Sequence, residues 1–243
     1  MQLARSYFEL QARFAARVAA LEGLPLGEAY RLHTAFYALA RDNDAGVAPE
    51  RNDFDPSHPK WVAFLQALDD GADAVSYVYE DYLQGDAQAD IGAPCFGFAY
   101  WPDDRLVRIH FGNDGDGTGL RASTVPQRRQ ELQHIFRTVA VDHPEAELVR
   151  GTSWLYHLEA YRRLFPPDFV ADLTSEGHPH QFAALWAQFI DRHGVVKPAM
   201  AATFIAAIER ATTPAQLDDA FPLDVLAATA GVAPFYDFFD VPR

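Results

Sequence analysis

Glu147–Leu173 reads ELVRGTSWLYHLEAYRRLFPPDFVADL, and the fold of the second half of the chain turns on it. Leu148 and Val149 open an extended segment, and Trp154-Leu155-Tyr156 close it with bulky residues suited to a pleated, half-buried surface. Leu158, Tyr161, Leu164 and Phe165 follow at steps of 3, 3 and 1 residues, which puts them on one face of a short helix. Pro166-Pro167 stops that helix, because proline has no amide proton and pushes the residue before it out of the α region. Phe169-Val170 then begins a second strand, so the stretch predicts strand, short helix, strand.

Working outward, the 243 residues suffice for one large domain or two modest ones. Apolar residues make up 49% and charged residues 22%, as in an ordinary globular protein. A net charge of −14 argues against nucleic acid or an anionic membrane as partner, since both require a basic face. The basic pairs Arg128-Arg129 and Arg162-Arg163 are short enough to be solvated helix faces. Cys95 is the one cysteine; no internal disulfide can form, and a reducing, cytoplasmic home is expected. Its apolar flanks read as core packing rather than as a nucleophile's setting. The start, MQLARSYFELQARF, interleaves polar residues throughout and matches neither a signal peptide nor a membrane span.

The first 92 residues are expected to be helical. Leu3, Tyr7, Leu10, Phe14, Val18 and Leu21 make one apolar stripe, ended by Gly23 and Pro25. Further helices are predicted over Gly27–Arg41, Trp61–Leu68 and Ala74–Leu83, separated by a long loop from Asp42 to His58. His33 lies in the second of these and reads as structural rather than as a base. Seven acids and no lysine or arginine fall between Trp61 and Ile91, the mark of a solvated acidic face. The turn-rich Gly85–Pro94 is the expected domain boundary.

Beyond it the period changes to that of strands. Cys95–Trp101 and Leu106–Phe111 form a hairpin through Pro102-Asp103-Asp104, with Leu106, Arg108 and His110 on one face. A glycine-rich loop follows, Asn113-Asp114-Gly115-Asp116-Gly117-Thr118-Gly119. Thr124 is expected to cap the next helix, whose buried stripe is Leu132, Ile135, Phe136 and Val139. Later come an apolar segment over Gln181–Ile190, a helix over Pro198–Ala211, a capping box Thr213-x-x-Gln216, a strand at Leu223–Leu226 and an aromatic terminal piece at Phe235–Phe239. The fold class is therefore α+β: a helical region over 1–92, then a mixed-sheet α/β domain over 93–243.

The order hairpin, glycine loop, helix, strand, helix, strand resembles the core of the GNAT acyltransferase family. Asp114, Gly117 and Gly119 have the spacing of that family's coenzyme A loop, and His157, Ala160 and Phe165 echo its second motif. A closer resemblance is to the GNAT-like C-terminal domain of poorly characterised bacterial acyltransferase-like proteins. It covers roughly Phe96–Ile190 and is carried by His110, Ser153-Trp154-Leu155 and Pro166-Pro167, with Gln181-Phe182 inverting that group's Phe-Gln. The resemblance implies a GNAT-like fold and transfer of an acyl group from acyl-CoA to a small-molecule amine or hydroxyl. It implies pyrophosphate binding by the backbone of Gly115, Gly117 and Gly119 at a helix N-terminus. His110 is then the expected base, Tyr156 or His157 the acid, and Ser153 a further catalytic candidate. Asp114 stands where the family has a polar or basic residue and Asp116 adds a second charge, so two carboxylates would repel a pyrophosphate. That acidic loop leaves a non-catalytic small-molecule-binding or scaffold protein as the alternative.

Other patterns fall short. Gly151-Thr-Ser153 lacks the second glycine of a nucleophile elbow. Asp114-Gly-Asp116 lacks the twelfth-position glutamate of a calcium loop. His178 and His180 with His193 have no supporting carboxylate spacing, and no metal is expected.

Overall fold

The computed structural model describes residues 2–40, 54–86, 95–112 and 119–242. Four helices come first: α1 (Arg5–Glu22), α2 (Leu26–His33), α3 (Pro59–Asp69) and α4 (Ala74–Asp86). The hairpin β1 (Phe96–Trp101) and β2 (Leu106–Phe111) precedes α5 (Val125–Asp142) and β3 (Leu148–Ser153). Then come the single turn α6 (Glu159–Arg162), the short β4 (Thr174–Ser175), α7 (Ala183–Trp186), α8 (Pro198–Arg210) and α9 (Pro214–Asp218). The chain finishes with β5 (Leu226–Gly231) and α10 (Ala233–Phe238). The class is α+β, helices first and a mixed sheet after. Among the described residues no helix is long and apolar enough to cross a membrane.

Two compact units result. One is the mixed sheet, Asp90–Gly177 with Leu223–Arg243; the other is helical, Gln2–Ala89 with His178–Pro222. Residues 178–222 thus lie with the N-terminal helices, whereas the sequence reading places them in the second domain. Packing supplies the reason. Phe14 of α1 lies 5.5 Å from Trp186, 6.0 Å from Phe204 and 5.3 Å from Phe221, and all four are buried. α1 needs an apolar partner for its stripe, and α8 and α9 provide it.

The sheet runs β1-β2-β3-β5-β4. β2 and β3 are parallel and joined through α5, while the other neighbours are antiparallel. Leu132, Ile135, Phe136 and Val139 of α5 are buried with Val107, Ile109 and Val149, as the stripe predicts. The register brings Phe96, Phe98 and Tyr100 onto the face of Ile109 and Val107, and leaves Arg108, Arg150 and Thr229 in a row on the opposite face.

Several local expectations fail for identifiable reasons. Trp154–His157 is a 3₁₀ turn, not strand, because the Ser153 hydroxyl accepts the Leu155 amide at 3.1 Å and starts the turn. Pro167–Val170 is also 3₁₀: Phe169 turns inward to meet Phe165 at 5.5 Å and Phe235 at 4.8 Å, and pairing waits until Thr174. α2 ends at His33, since the Thr34 hydroxyl donates to the Tyr30 carbonyl (2.6 Å) and accepts the Phe36 amide (3.0 Å), which breaks the helix and starts a 3₁₀ segment, Ala35–Ala40. Thr124 does not cap α5 through its side chain; its hydroxyl donates to the carbonyls of Gly119 and Arg121 at 3.0 and 2.9 Å. The last strand begins at Leu226 rather than ending there.

Candidate functional site

In the mixed-sheet unit, β2 and β3 run parallel, so their carboxyl ends lie at one edge with the start of α5. Open α/β sheets bind ligands outside the carboxyl ends of their strands. Pairing stops at Ile109 with Gly151, although β2 continues to Phe111 and β3 to Ser153, so the two strands part at that edge. Gly151 is there for space: a Cβ would stand 1.9 Å from the Tyr156 hydroxyl oxygen, which fills the place of a side chain. The turn after β3 thus folds Tyr156 back into the core and throws the next residue, His157, outward to the surface.

His157 meets a carboxylate held from both sides. Its Nε2 lies 2.9 Å from Asp224 Oδ1 and 3.2 Å from the Asp224 carbonyl. Asp224 Oδ2 accepts the Ser175 hydroxyl, and Ser175 Oγ in turn accepts the Gly177 amide at 3.1 Å. Burial raises the Asp224 carboxyl, but hydrogen bonds from Ser175 and His157, with the His157 charge, bring it below its ordinary value. The ionised form is the acceptor that His157 requires. Each side chain of the pair is 29% exposed, so the dyad lies at the surface without being freely solvated. An imidazole oriented by a carboxylate can take up and return a proton.

Arginines gather at the start of α5. Arg163 donates to the Leu120 carbonyl at 2.9 Å, and Arg129 donates to the Arg163 carbonyl at 3.3 Å while stacking over Phe238. Arg128, only 1% exposed, pairs with Glu131 and reaches the Gly119 carbonyl at 3.4 Å. The sequence shows Arg128-Arg129 and Arg162-Arg163 as separate pairs; the fold brings Arg163 to Arg129 and the start of α5, while Arg162 pairs with Glu159. Among the described residues, Arg121, Arg129 and Arg163 have no carboxylate partner.

The expected site residues divide accordingly. His157 is placed as above. Tyr156 is fully buried, and burial pushes its phenol, and that of Tyr161 beside it, above the ordinary value. Ser153 is also buried, its hydroxyl engaged with the Leu155 amide. His110 sits on β2 opposite Gly97, on the face away from α5; desolvation first, then the Arg108 charge, holds it below its ordinary value. Gly119 adopts a φ of 62°, a conformation glycine accepts without strain, while Gly115 and Gly117 lie outside the described residues. Asp224 and Ser175 escaped the sequence reading: they stand 67 and 18 residues from His157, and no spacing rule connects them.

The helical unit holds a second group of titratable side chains. His33 Nδ1 and His180 Nδ1 are 3.1 Å apart, and His180 Nε2 stands 2.9 Å from Asp218 Oδ1. His178 and His180 both stack on Phe221, at 5.3 and 5.4 Å. Among the described residues no three His, Cys, Asp or Glu side chains are arranged to hold a metal ion. Comparison of the chain with protein-family models, curated proteins and solved structures gives no match.

Proposed function

We propose that the mixed-sheet unit is a GNAT-like acyltransferase, moving an acyl group from a coenzyme A thioester to a small-molecule amine or hydroxyl. The observation that carries this reading is His157, held by Asp224 at the carboxyl end of β3. In the proposed reaction the nucleophile attacks the thioester carbonyl and gives its proton to His157. The tetrahedral adduct then expels the thiolate, which recovers that proton to leave as the free thiol. His157 takes the base's role that the resemblance gives to His110, because His157 has the carboxylate partner. Tyr156 supports the strand end from within the core. Arg121, Arg129 and Arg163 offer cations for the donor's phosphates on an otherwise acidic chain, with guanidinium forks suited to phosphate oxygens.

A titration of thermal stability with coenzyme A and acetyl-CoA tests the reading. At a hundred times its dissociation constant a ligand stabilises the fold by about 2.7 kcal/mol, so a saturable rise in melting temperature is expected. The alternative, a small-molecule-binding or scaffold protein without coenzyme A, is favoured by Asp114 and Asp116 in the loop after β2. No shift at millimolar coenzyme A would select it.

A further inference from the structure

We infer that Ser175 is a positioning residue that locks Asp224 and, through it, fixes His157 in the tautomer whose Nδ1 accepts the proton. The inference rests on the acyl-transfer reading for its chemistry, but its geometry stands apart from it. Two acceptors converge on one ring nitrogen: Asp224 Oδ1 at 2.9 Å and the Asp224 carbonyl at 3.2 Å both face Nε2. An ionised carboxylate and a carbonyl can only accept, so Nε2 carries a hydrogen, and in the neutral ring Nδ1 then holds the lone pair. Asp224 does not turn away, because its other oxygen is bound by Ser175.

Ser175 has equally little freedom. Its oxygen already accepts the Gly177 amide at 3.1 Å, so its own hydrogen is directed to Asp224. The backbone around it is fastened by β4–β5 pairing, with Ser175 opposite Leu226, the Glu176 amide on the Val225 carbonyl (2.8 Å) and the Val225 amide on the Gly177 carbonyl (2.9 Å). Gly177 closes that turn at a φ of 67°, where a side chain would be strained. In the reaction, a proton passes from the attacking amine or hydroxyl to Nδ1 as the new bond to the acyl carbon forms. Asp224 then faces the imidazolium through Nε2–H, and the proton leaves with the thiolate as the C–S bond breaks. Ser175 touches neither reactant.

Nitrogen-15 NMR of the full chain labelled at histidine reads this directly, with the His157 signals identified by their loss in His157→Gln. The wild type is expected to show a protonated Nε2 and an unprotonated Nδ1. Asp224→Asn, whose amide can donate to Nε2, is expected to invert the tautomer. Ser175→Ala is expected to give a mixture, and Ser175→Thr, which keeps the hydroxyl, to restore the wild-type pattern. Thiol release from acetyl-CoA, where found, should fall at least about 100-fold in Asp224→Asn, the lower end of what a proton-transfer group contributes. An unchanged His157 tautomer in Ser175→Ala overturns the inference, and an unchanged tautomer in Asp224→Asn overturns the role of Asp224 on which it depends. A responsive tautomer without any coenzyme A binding sinks the acyl-transfer reading alone.

Discussion

His33 Nδ1 and His180 Nδ1 face each other at 3.1 Å in the helical unit, a distance that holds one proton between them and not two. His180 is pulled down to about 3, by burial first and then by the charges of His33 and His178. His33 is lowered by burial against the opposing pull of Glu22, Asp218 and Glu28. Both therefore bind a proton less readily in the fold than in the unfolded chain, where they titrate near pH 6.5. Their contribution is complete above that value and is lost as pH falls below it. Asp218, raised chiefly by burial, works in the opposite sense at carboxylate pH. The melting temperature should thus drop between about pH 7.5 and 5. His33→Asn, which bonds without titrating, should flatten that slope; an equally steep slope would count against the pairing.

Gly151 and Tyr156 form a second coupled pair. Alanine at 151 would bring its Cβ to 1.9 Å from the phenol oxygen but 3.1 Å from the ring carbon that bears it. Gly151→Ala alone should cost about 1–3 kcal/mol through overpacking. Adding Tyr156→Phe removes the oxygen and should recover most of that loss, read as a coupling energy in a double-mutant cycle. Additive single effects would show that the two side chains do not compete for this space.

At the start of α5, the charge-reversing pair Arg129→Glu and Arg163→Glu should weaken coenzyme A binding at least about tenfold, or about 1.4 kcal/mol. Melting without ligand is followed alongside, because the change also removes the Arg129 contact with Phe238 and the Arg163 bond to the Leu120 carbonyl. Unaltered affinity would place the donor's phosphates elsewhere.

Phe136 has no exposure and lies 4.6 Å from Phe235 and 5.5 Å from Phe239, tying α5 to α10. Phe136→Ala should cost about 3–5 kcal/mol. Urea unfolding would show this as a lower midpoint at similar slope.

What could be read from residues alone follows the range of the forces involved. The stripes of α1 and α5 and the β1–β2 hairpin are written in local periodicity, and their elements fall where that periodicity places them. Where a side chain competed with the backbone, the reading slipped. Thr34 ended α2 early, Ser153 turned strand into 3₁₀, and Thr124 bonded carbonyls in place of the helix amides. His157 was legible as a candidate, in the acid's role, because with Ala160 it echoes an acyltransferase motif. Its partner Asp224 was not: the sequence predicts the strand over Leu223–Leu226, and nothing local shows that Asp224 lies just ahead of a strand paired with β3. The arginine pairs were visible, but their convergence depends on α5 and α6 returning to one end of the sheet.

The interleaving of the two units bears on how the protein is made. α1 presents Phe14 early in synthesis, yet Trp186, Phe204 and Phe221, which cover it, leave the ribosome only after the residues of β1 to β4. The sheet is likewise unfinished until β5 arrives to join β3 to β4. Neither unit can close before the last third of the chain has emerged, so an apolar α1 face and an open β3 edge wait together on the nascent protein, each exposed to association with the wrong partner. Ribosome-proximal chaperones that hold apolar helices should therefore raise the yield of the full chain, and a single cut near residue 92 would produce two fragments that each lack part of their own core.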